Sequence, residues 1–188
     1  MVINARKAIS VILLLILVAA GIFGVKYSIA YFNRQIYPQK YSEFVEKYAG
    51  EYEVDKNMVY AIIKTESDFH PDATSKVGAR GLMQIMSDTF DWIQSKIKND
   101  GATFDDMYDP EENIRHGTFF ISYLYKEFGS YETAIAAYHA GRGAIGKWLK
   151  DERYSKDGKT LYNIPIDDTG HYVNKVMKNY EMYRKLYE

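Results

Sequence analysis

Residues 55–69, Asp55-Lys56-Asn57-Met58-Val59-Tyr60-Ala61-Ile62-Ile63-Lys64-Thr65-Glu66-Ser67-Asp68-Phe69, put a carboxylate on the apolar side of a helix. Val59, Ile62, Ile63 and Phe69 recur at helical spacing and mark a face turned to a core. Glu66 falls on that face, four residues after Ile62 and three after Ile63. A carboxylate there loses hydration, which penalises the charged form and raises its pKa. A carboxyl still protonated near neutral pH can hand a proton to a leaving group. The plain alternative is a glutamate that snorkels past the stripe or meets a basic partner.

Working outward, the chain reads as helix after helix. Tyr41, Phe44, Val45, Tyr48 and Tyr52 form a stripe before the Glu66 segment, and Asp55 is its expected N-cap. His70-Pro71-Asp72 is expected to end that helix, because a residue before proline is pushed out of the helical region. Residues 73–81 are loop-like. Ser87 or Asp88 is expected to cap a helix with Phe90, Ile93 and Ile97 inward, stopped by Asn99-Asp100-Gly101. Asp109-Pro110-Glu111-Glu112 is a helix start, with Ile114, Thr118, Ile121, Leu124, Tyr125 and Phe128 following and Gly129 closing. Ser130 opens a shorter helix through Tyr138. Gly141, Gly143 and Gly146 are expected to interrupt the pattern. Residues 150–165 are polar and irregular, with room for a short hairpin, and a last helix is expected from about Asp168. Six or seven helices make the fold class mainly α.

The amino terminus is different in kind. Residues 8–25 are apolar except for Ser10, and Arg6 and Lys7 precede them. Some 18 residues is the lower end of a bilayer-spanning helix. A retained signal anchor is favoured by the length of the run. A cleaved signal is the alternative, with Ser28-Ile29-Ala30 as small residues near a cleavage point. The expected division is an anchor at 1–30, a juxtamembrane linker at 31–40 and a soluble domain at 41–188. Arg6 and Lys7 favour a cytoplasmic amino terminus with the bulk of the chain outside, although Lys26 and Arg34 weaken the asymmetry.

Composition excludes several classes. The net charge of −1 hides three basic and no acidic residues in 1–30, which leaves 21 basic against 25 acidic, or −4, in the rest. A mildly acidic domain argues against nucleic acid as a partner. With no cysteine there is no disulfide framework or Cys-based metal site. His70, His116, His139 and His171 never fall at the i, i+4 spacing of a helical zinc site. No phosphate-cradling glycine loop and no nucleophile elbow occurs. The 18 tyrosines fall mostly at helical core spacing, so packing is their default use.

Four short signatures then occur in order: Glu66-Ser67, Gly78-Ala79-Arg80-Gly81-Leu82-Met83-Gln84, Ala137-Tyr138-His139-Ala140-Gly141 and His171-Tyr172-Val173. Each alone is commonplace. Together they resemble the soluble lytic transglycosylase domain, a lysozyme-like family that includes goose-type lysozymes, over about Tyr41 to Tyr187. The resemblance implies a lysozyme-like helical domain behind an N-terminal transmembrane helix. It implies cleavage of the β-1,4 bond between N-acetylmuramic acid and N-acetylglucosamine in peptidoglycan strands, without metal or organic cofactor. Glu66 would protonate the glycosidic oxygen and, as carboxylate, take the proton of the muramic C6 hydroxyl, closing a 1,6-anhydro ring. That cyclisation removes the need for the second carboxylate of ordinary glycosidases.

The same resemblance assigns the sugar contacts. Met83 would be an apolar wall of the cleft and Gln84 an amide reaching a sugar; on its residue type alone Met83 is core. Tyr138 or Tyr172 would bond Glu66 and fix its rotamer. Ser67 would bond substrate or carboxylate, although a lone helical serine more often bonds a backbone carbonyl. His139 stands where the family usually has Asn; it can still donate to an acetamido or hydroxyl oxygen, with a charge that varies between about pH 5 and 8. Ser87 replaces a usual proline, and Asp167-Asp168-Thr169 replaces a usual Glu-Thr, so Asp168 receives no catalytic role. Two alternatives stay open: a muramidase in which Asp68, Asp72 or Asp88 orients water, and a non-catalytic glycan-binding module of an envelope complex.

Overall fold

The computed structural model describes residues 5–97 and 101–188, and the chain divides into two compact units, Met1–Pro38 and Gln39–Glu188. The first unit is one helix, α1 (Ala5–Ile36). Its large apolar side chains, from Ile9 to Ile36, are all exposed. Lys7–Ile36 is long and apolar enough to cross a bilayer. At 1.5 Å per residue the apolar run from Ala8 to Val25 extends about 27 Å, close to the thickness of a hydrocarbon core. The helix continues past Lys26 to Ile36, so most of the stretch expected as a linker is helical.

The second unit is a helical assembly with no strand among the described residues; only isolated bridges at Thr74–Arg80 and Arg80–Ile85 occur. Its elements are α2 (Ser42–Tyr52), α3 (Lys56–Glu66), α4 (Ser87–Gln94), a 3-10 turn (Phe104–Tyr108), α5 (Pro110–Phe128), α6 (Tyr131–Ala140), α7 (Arg142–Trp148) and α8 (Asp167–Tyr187). α5 lies centrally, packed by α2, α4, α6 and the 3-10 turn, while α8 closes over α3 and α6. Val59, Ile62, Ile63, Ile114, Ile121, Leu124, Ile135 and Val176 are fully buried where these helices meet.

The caps explain where the helices begin. Asp55 accepts from the Asn57 amide at 2.8 Å, as expected of an N-cap. Its other oxygen accepts from Tyr180 Oη at 2.6 Å, and its amide donates to Tyr131 Oη at 3.3 Å. One residue therefore starts α3 and ties it to α6 and α8. Asp109 caps α5 by accepting from the Glu112 amide at 3.0 Å, with Pro110 in the first turn and Gly129 at φ 70° closing it.

Several expectations give way. α3 ends at Glu66 rather than at His70, because Asp68 and Phe69 adopt left-handed φ of 50° and 65°. Phe69 is still buried, so packing rather than helix continuation places it inside. α4 is capped by Met86 without a side-chain bond, and Ser87 is its first residue; it stops at Gln94. Of the expected stop, Asn99 and Asp100 lie outside the described residues. Gly143 and Gly146 sit within α7, which buries Ile145. Residues 150–165 form turns instead of a hairpin; Asp157 collects the amides of Lys159 and Thr160, each at 2.8 Å, which favours a closed turn over paired strands.

Asp55→Ala removes the α3 cap and the acceptor of the half-buried Tyr180 phenol together. The loss is expected to be about 1–3 kcal/mol, read from urea unfolding of the full chain.

Candidate active site

α3 stops at Glu66, and the stop is chemically fastened to the later Gly81-Leu82-Met83-Gln84 segment. Ser67 Oγ donates to the Leu82 carbonyl at 2.8 Å, with the Ile63 carbonyl a second acceptor at 3.3 Å. The His70 Nδ1 lies 2.7 Å from the Ser67 carbonyl, an acceptor, so that nitrogen carries a proton. Glu66, the last residue of α3, is thus held at an abrupt corner of the chain.

The loop after it is built on one buried amide. Asn113, fully buried on α5, donates from Nδ2 to the Arg80 carbonyl at 2.9 Å and the Met107 carbonyl at 2.8 Å. Its Oδ1 accepts from the Met83 amide at 2.7 Å. Arg80 and Ile85 exchange two backbone bonds of 3.0 Å, which closes the turn between them. Gly81, at φ 75°, could not carry a side chain: a Cβ would lie 2.0 Å from the Met107 carbonyl oxygen. The Arg80 guanidinium donates to Asp105 at 2.6 Å and lies 4.1 Å from the centre of the Phe104 ring, which pins the loop to the 3-10 turn.

Glu66 borders two adjoining depressions. One, of about 500 Å³, is bounded also by Lys64, Ser67, Asp68, His70 and Asn179. The other, of about 300 Å³, is bounded also by His139, Asp168, His171 and Tyr172. Thr65, Glu66 and Lys175 belong to both, so the carboxyl lies where the two meet. Although the residue as a whole is partly accessible, protein atoms surround its carboxyl. Loss of hydration pushes it from 4.5 up to about 7, against the opposing pull of the Tyr172 bond and the Lys175 charge. Tyr172 Oη donates to Glu66 Oε1 at 2.5 Å. Burial keeps that phenol well above its ordinary value, so it remains a donor at neutral pH.

The expected sugar-contacting residues divide. Ser67, His139 and Tyr172 border the depressions; Met83, Gln84 and Tyr138 do not. Met83, expected as a cleft wall, is fully buried and packs against Gly117, where a Cβ would meet its Sδ at 2.3 Å. Gln84 Nε2 donates to the Ala73 and Gly81 carbonyls at 3.1 and 2.9 Å, leaving only the amide oxygen for a ligand. Tyr138 Oη donates to the Met83 carbonyl at 2.7 Å, so Tyr172 alone of the two phenols bonds Glu66. Three residues that the sequence did not single out matter here. Asn113 carries no periodic signal beyond being polar beside Ile114. Asn179 Nδ2 donates to Thr65 Oγ1 at 2.9 Å, and Lys175 Nζ lies 3.4 Å from the Thr65 carbonyl, which sews α8 to α3 beside the carboxyl. Among the described residues, no group of acidic, His or Cys side chains could hold a metal ion.

A family model for the transglycosylase SLT domain matches residues 43–161. The chain belongs to that family. The soluble lytic murein transglycosylase of Escherichia coli K12 is 32% identical over 151 residues, which cover 79% of this chain and 23% of that protein. A membrane-bound lytic murein transglycosylase C of Yersinia pestis is 30% identical over 169 residues, covering 77% of this chain and 47% of the other. The chain therefore spans a quarter to a half of these relatives' length. Among solved structures, the 70 kDa soluble lytic transglycosylase of Escherichia coli superimposes with a TM-score of 0.72 at 29% identity, over 81% of this chain and 25% of that one. The lytic transglycosylase Slt of Pseudomonas aeruginosa, solved as an inactive Glu→Gln mutant, gives 0.70 at 30% identity, over 79% and 24%. The helical domain is the lysozyme-like fold of SLT members.

The raised pKa makes a stability prediction with a definite sign. A carboxyl higher in the folded than in the unfolded chain stabilises fully below about 4.5 and loses that stability as pH rises through about 7. Glu66→Gln should therefore melt with the wild type at pH 4 and above it at pH 8, in paired calorimetric scans.

Proposed function

We propose that this chain is a membrane-tethered lytic transglycosylase acting on peptidoglycan, with Glu66 as its single acid and base. The carrying observation is a carboxyl that is half-protonated near pH 7, at the junction of two depressions on an SLT fold. The relatives' names support the substrate class, and the inactive Glu→Gln neighbour supports dependence on a glutamate.

In this reading a glycan strand lies across both depressions with its scissile oxygen over Glu66. The protonated carboxyl gives its proton to that oxygen as the bond to muramic C1 breaks. The carboxylate so formed is stabilised by the Tyr172 phenol and the Lys175 ammonium. It then takes the proton of the muramic C6 hydroxyl, whose oxygen bonds C1, and the acid is restored. The proton balance closes on one residue, with no water consumed. The two other carboxylates bordering the groove are engaged with cationic or ionisable partners: Asp68 pairs with Lys64, and Asp168 lies 3.6 Å from His139 Nε2. The relatives' names, lytic transglycosylases, favour cyclisation over hydrolysis. His139 borders the groove as a sugar contact; Ser67 borders it too, but its hydroxyl proton is given to the Leu82 carbonyl, so it meets sugar only as an acceptor. α1 is compatible with membrane anchoring; we place it in the plasma membrane as a single span, with the SLT domain on the cell-wall side.

Glu66→Gln should retain the fold and lower glycan cleavage by about 10²–10⁴-fold. Mass spectrometry of wild-type digests should show 1,6-anhydromuramyl ends; reducing ends alone would replace the transglycosylase with a muramidase. Because the acid form starts the reaction, kcat/KM should fall about tenfold per pH unit above about pH 7. A profile flat to pH 9 would remove Glu66 from that role.

A further inference from the structure

His139 is the penultimate residue of α6, and its imidazole lies on the face of the Tyr172 ring, with centroids 4.4 Å and planes 26° apart. The imidazole is itself anchored by the first turn of α8. Its Nδ1 lies 3.2 Å from Thr169 Oγ1, on a residue only 1% exposed, and its Nε2 lies 3.6 Å from Asp168 Oδ2. Thr169 and Tyr172 are three apart on one helix and so share a face. One ring is thus gripped by α8 and laid over another side chain of the same helix. A tyrosine has two side-chain torsions, and rocking about either swings its hydroxyl away from a fixed acceptor. A stacked ring restricts that motion and adds attraction beyond its buried area. Either protonation state of the imidazole presents a face to the phenol, and the cation adds electrostatic attraction to it.

We propose that His139 is a positioning residue, whose ring, held by Thr169, fixes the Tyr172 phenol against Glu66 Oε1. The inference rests on the proposed catalytic role of Glu66, and it assigns His139 a part distinct from touching sugar. The charged and titratable groups around this arrangement are Asp168, His171 and Lys175 from α8, Tyr138 from α6, Lys64 from α3, and Asp68 and His70 beyond the end of α3. None of the other rings among them stacks on Tyr172.

The test is a double-mutant cycle on the full chain in detergent micelles, with His139→Asn, Tyr172→Phe and their combination. His139→Asn keeps polar contact with sugar but loses the ring. It should lower kcat about 3–10-fold with KM little changed. In the Tyr172→Phe background it should have no further effect. His139→Phe restores a face but not the Thr169 bond, so it should recover part of kcat, with KM raised by loss of the ring nitrogens. A readout that needs no activity is the Glu66 carboxyl titration, followed by carbon-13 NMR and assigned by its disappearance in Glu66→Gln. His139→Asn should raise its midpoint by about half a pH unit, equivalent to a threefold weakening of support for the carboxylate, and only while Tyr172 is present. Equal shifts in both backgrounds would overturn the proposal, as would a change confined to KM or a failure of His139→Phe to recover any of kcat and midpoint. If the titrations couple as described while no variant, nor the wild type, releases glycan, the positioning contact stands and the catalytic reading falls.

Discussion

The desolvation of one carboxyl, where α8 closes on α3, is the constraint on which the site depends. Left to water, Glu66 would ionise well below neutrality. Packing around α3 withdraws that hydration and raises the acid to about 7, while Tyr172 and Lys175 temper the rise. Too little burial would leave a permanent anion, and burial with no polar neighbour would hold the carboxyl neutral far above neutral pH. The structure places the group between these extremes with one short phenolic bond and one nearby ammonium.

Placing an acid there requires α3 to end abruptly. The left-handed residues Asp68 and Phe69 are sterically unfavourable for side chains with a Cβ, each at a cost of about 1–3 kcal/mol. Burial of the Phe69 ring and the bond from Ser67 to Leu82 offset this. The chain then enters a loop that has too few regular backbone bonds to hold itself. Asn113 supplies three from inside α5, and losing them would leave buried polar groups unpaired, at about 1–3 kcal/mol each. The residues that shape the groove are thus mostly not those that border it. Met83, Tyr138 and Asn113 form a frame behind the groove, and Glu66, Tyr172 and His139 border it.

How much of this was legible in the sequence follows from the range of each signal. Helix starts were readable where a side chain caps its own helix, as at Asp55, Asp109 and Ser130, because the partner lies two or three residues away. Helix ends were less readable. α3 and α4 stop short of their expected limits, and α7 persists through glycines, since packing rather than local preference decides each case. The 3-10 turn at Phe104–Tyr108 was missed although Thr103 and Asp106 form a local capping box; contacts to Arg80 and Asn113 hold it in place.

By itself, then, the sequence determined a mainly helical chain, an apolar leading segment, membership of a family through four ordered signatures, and a glutamate on an apolar face. Those features are periodic or local, and covalent order alone carries them. Only the tertiary structure decided which of two tyrosines meets Glu66, that Met83 turns inward, and that His139 lies flat on Tyr172. Each of those contacts joins residues tens of positions apart in the chain, and its partner is selected by how α3, α5, α6 and α8 exclude water from one another.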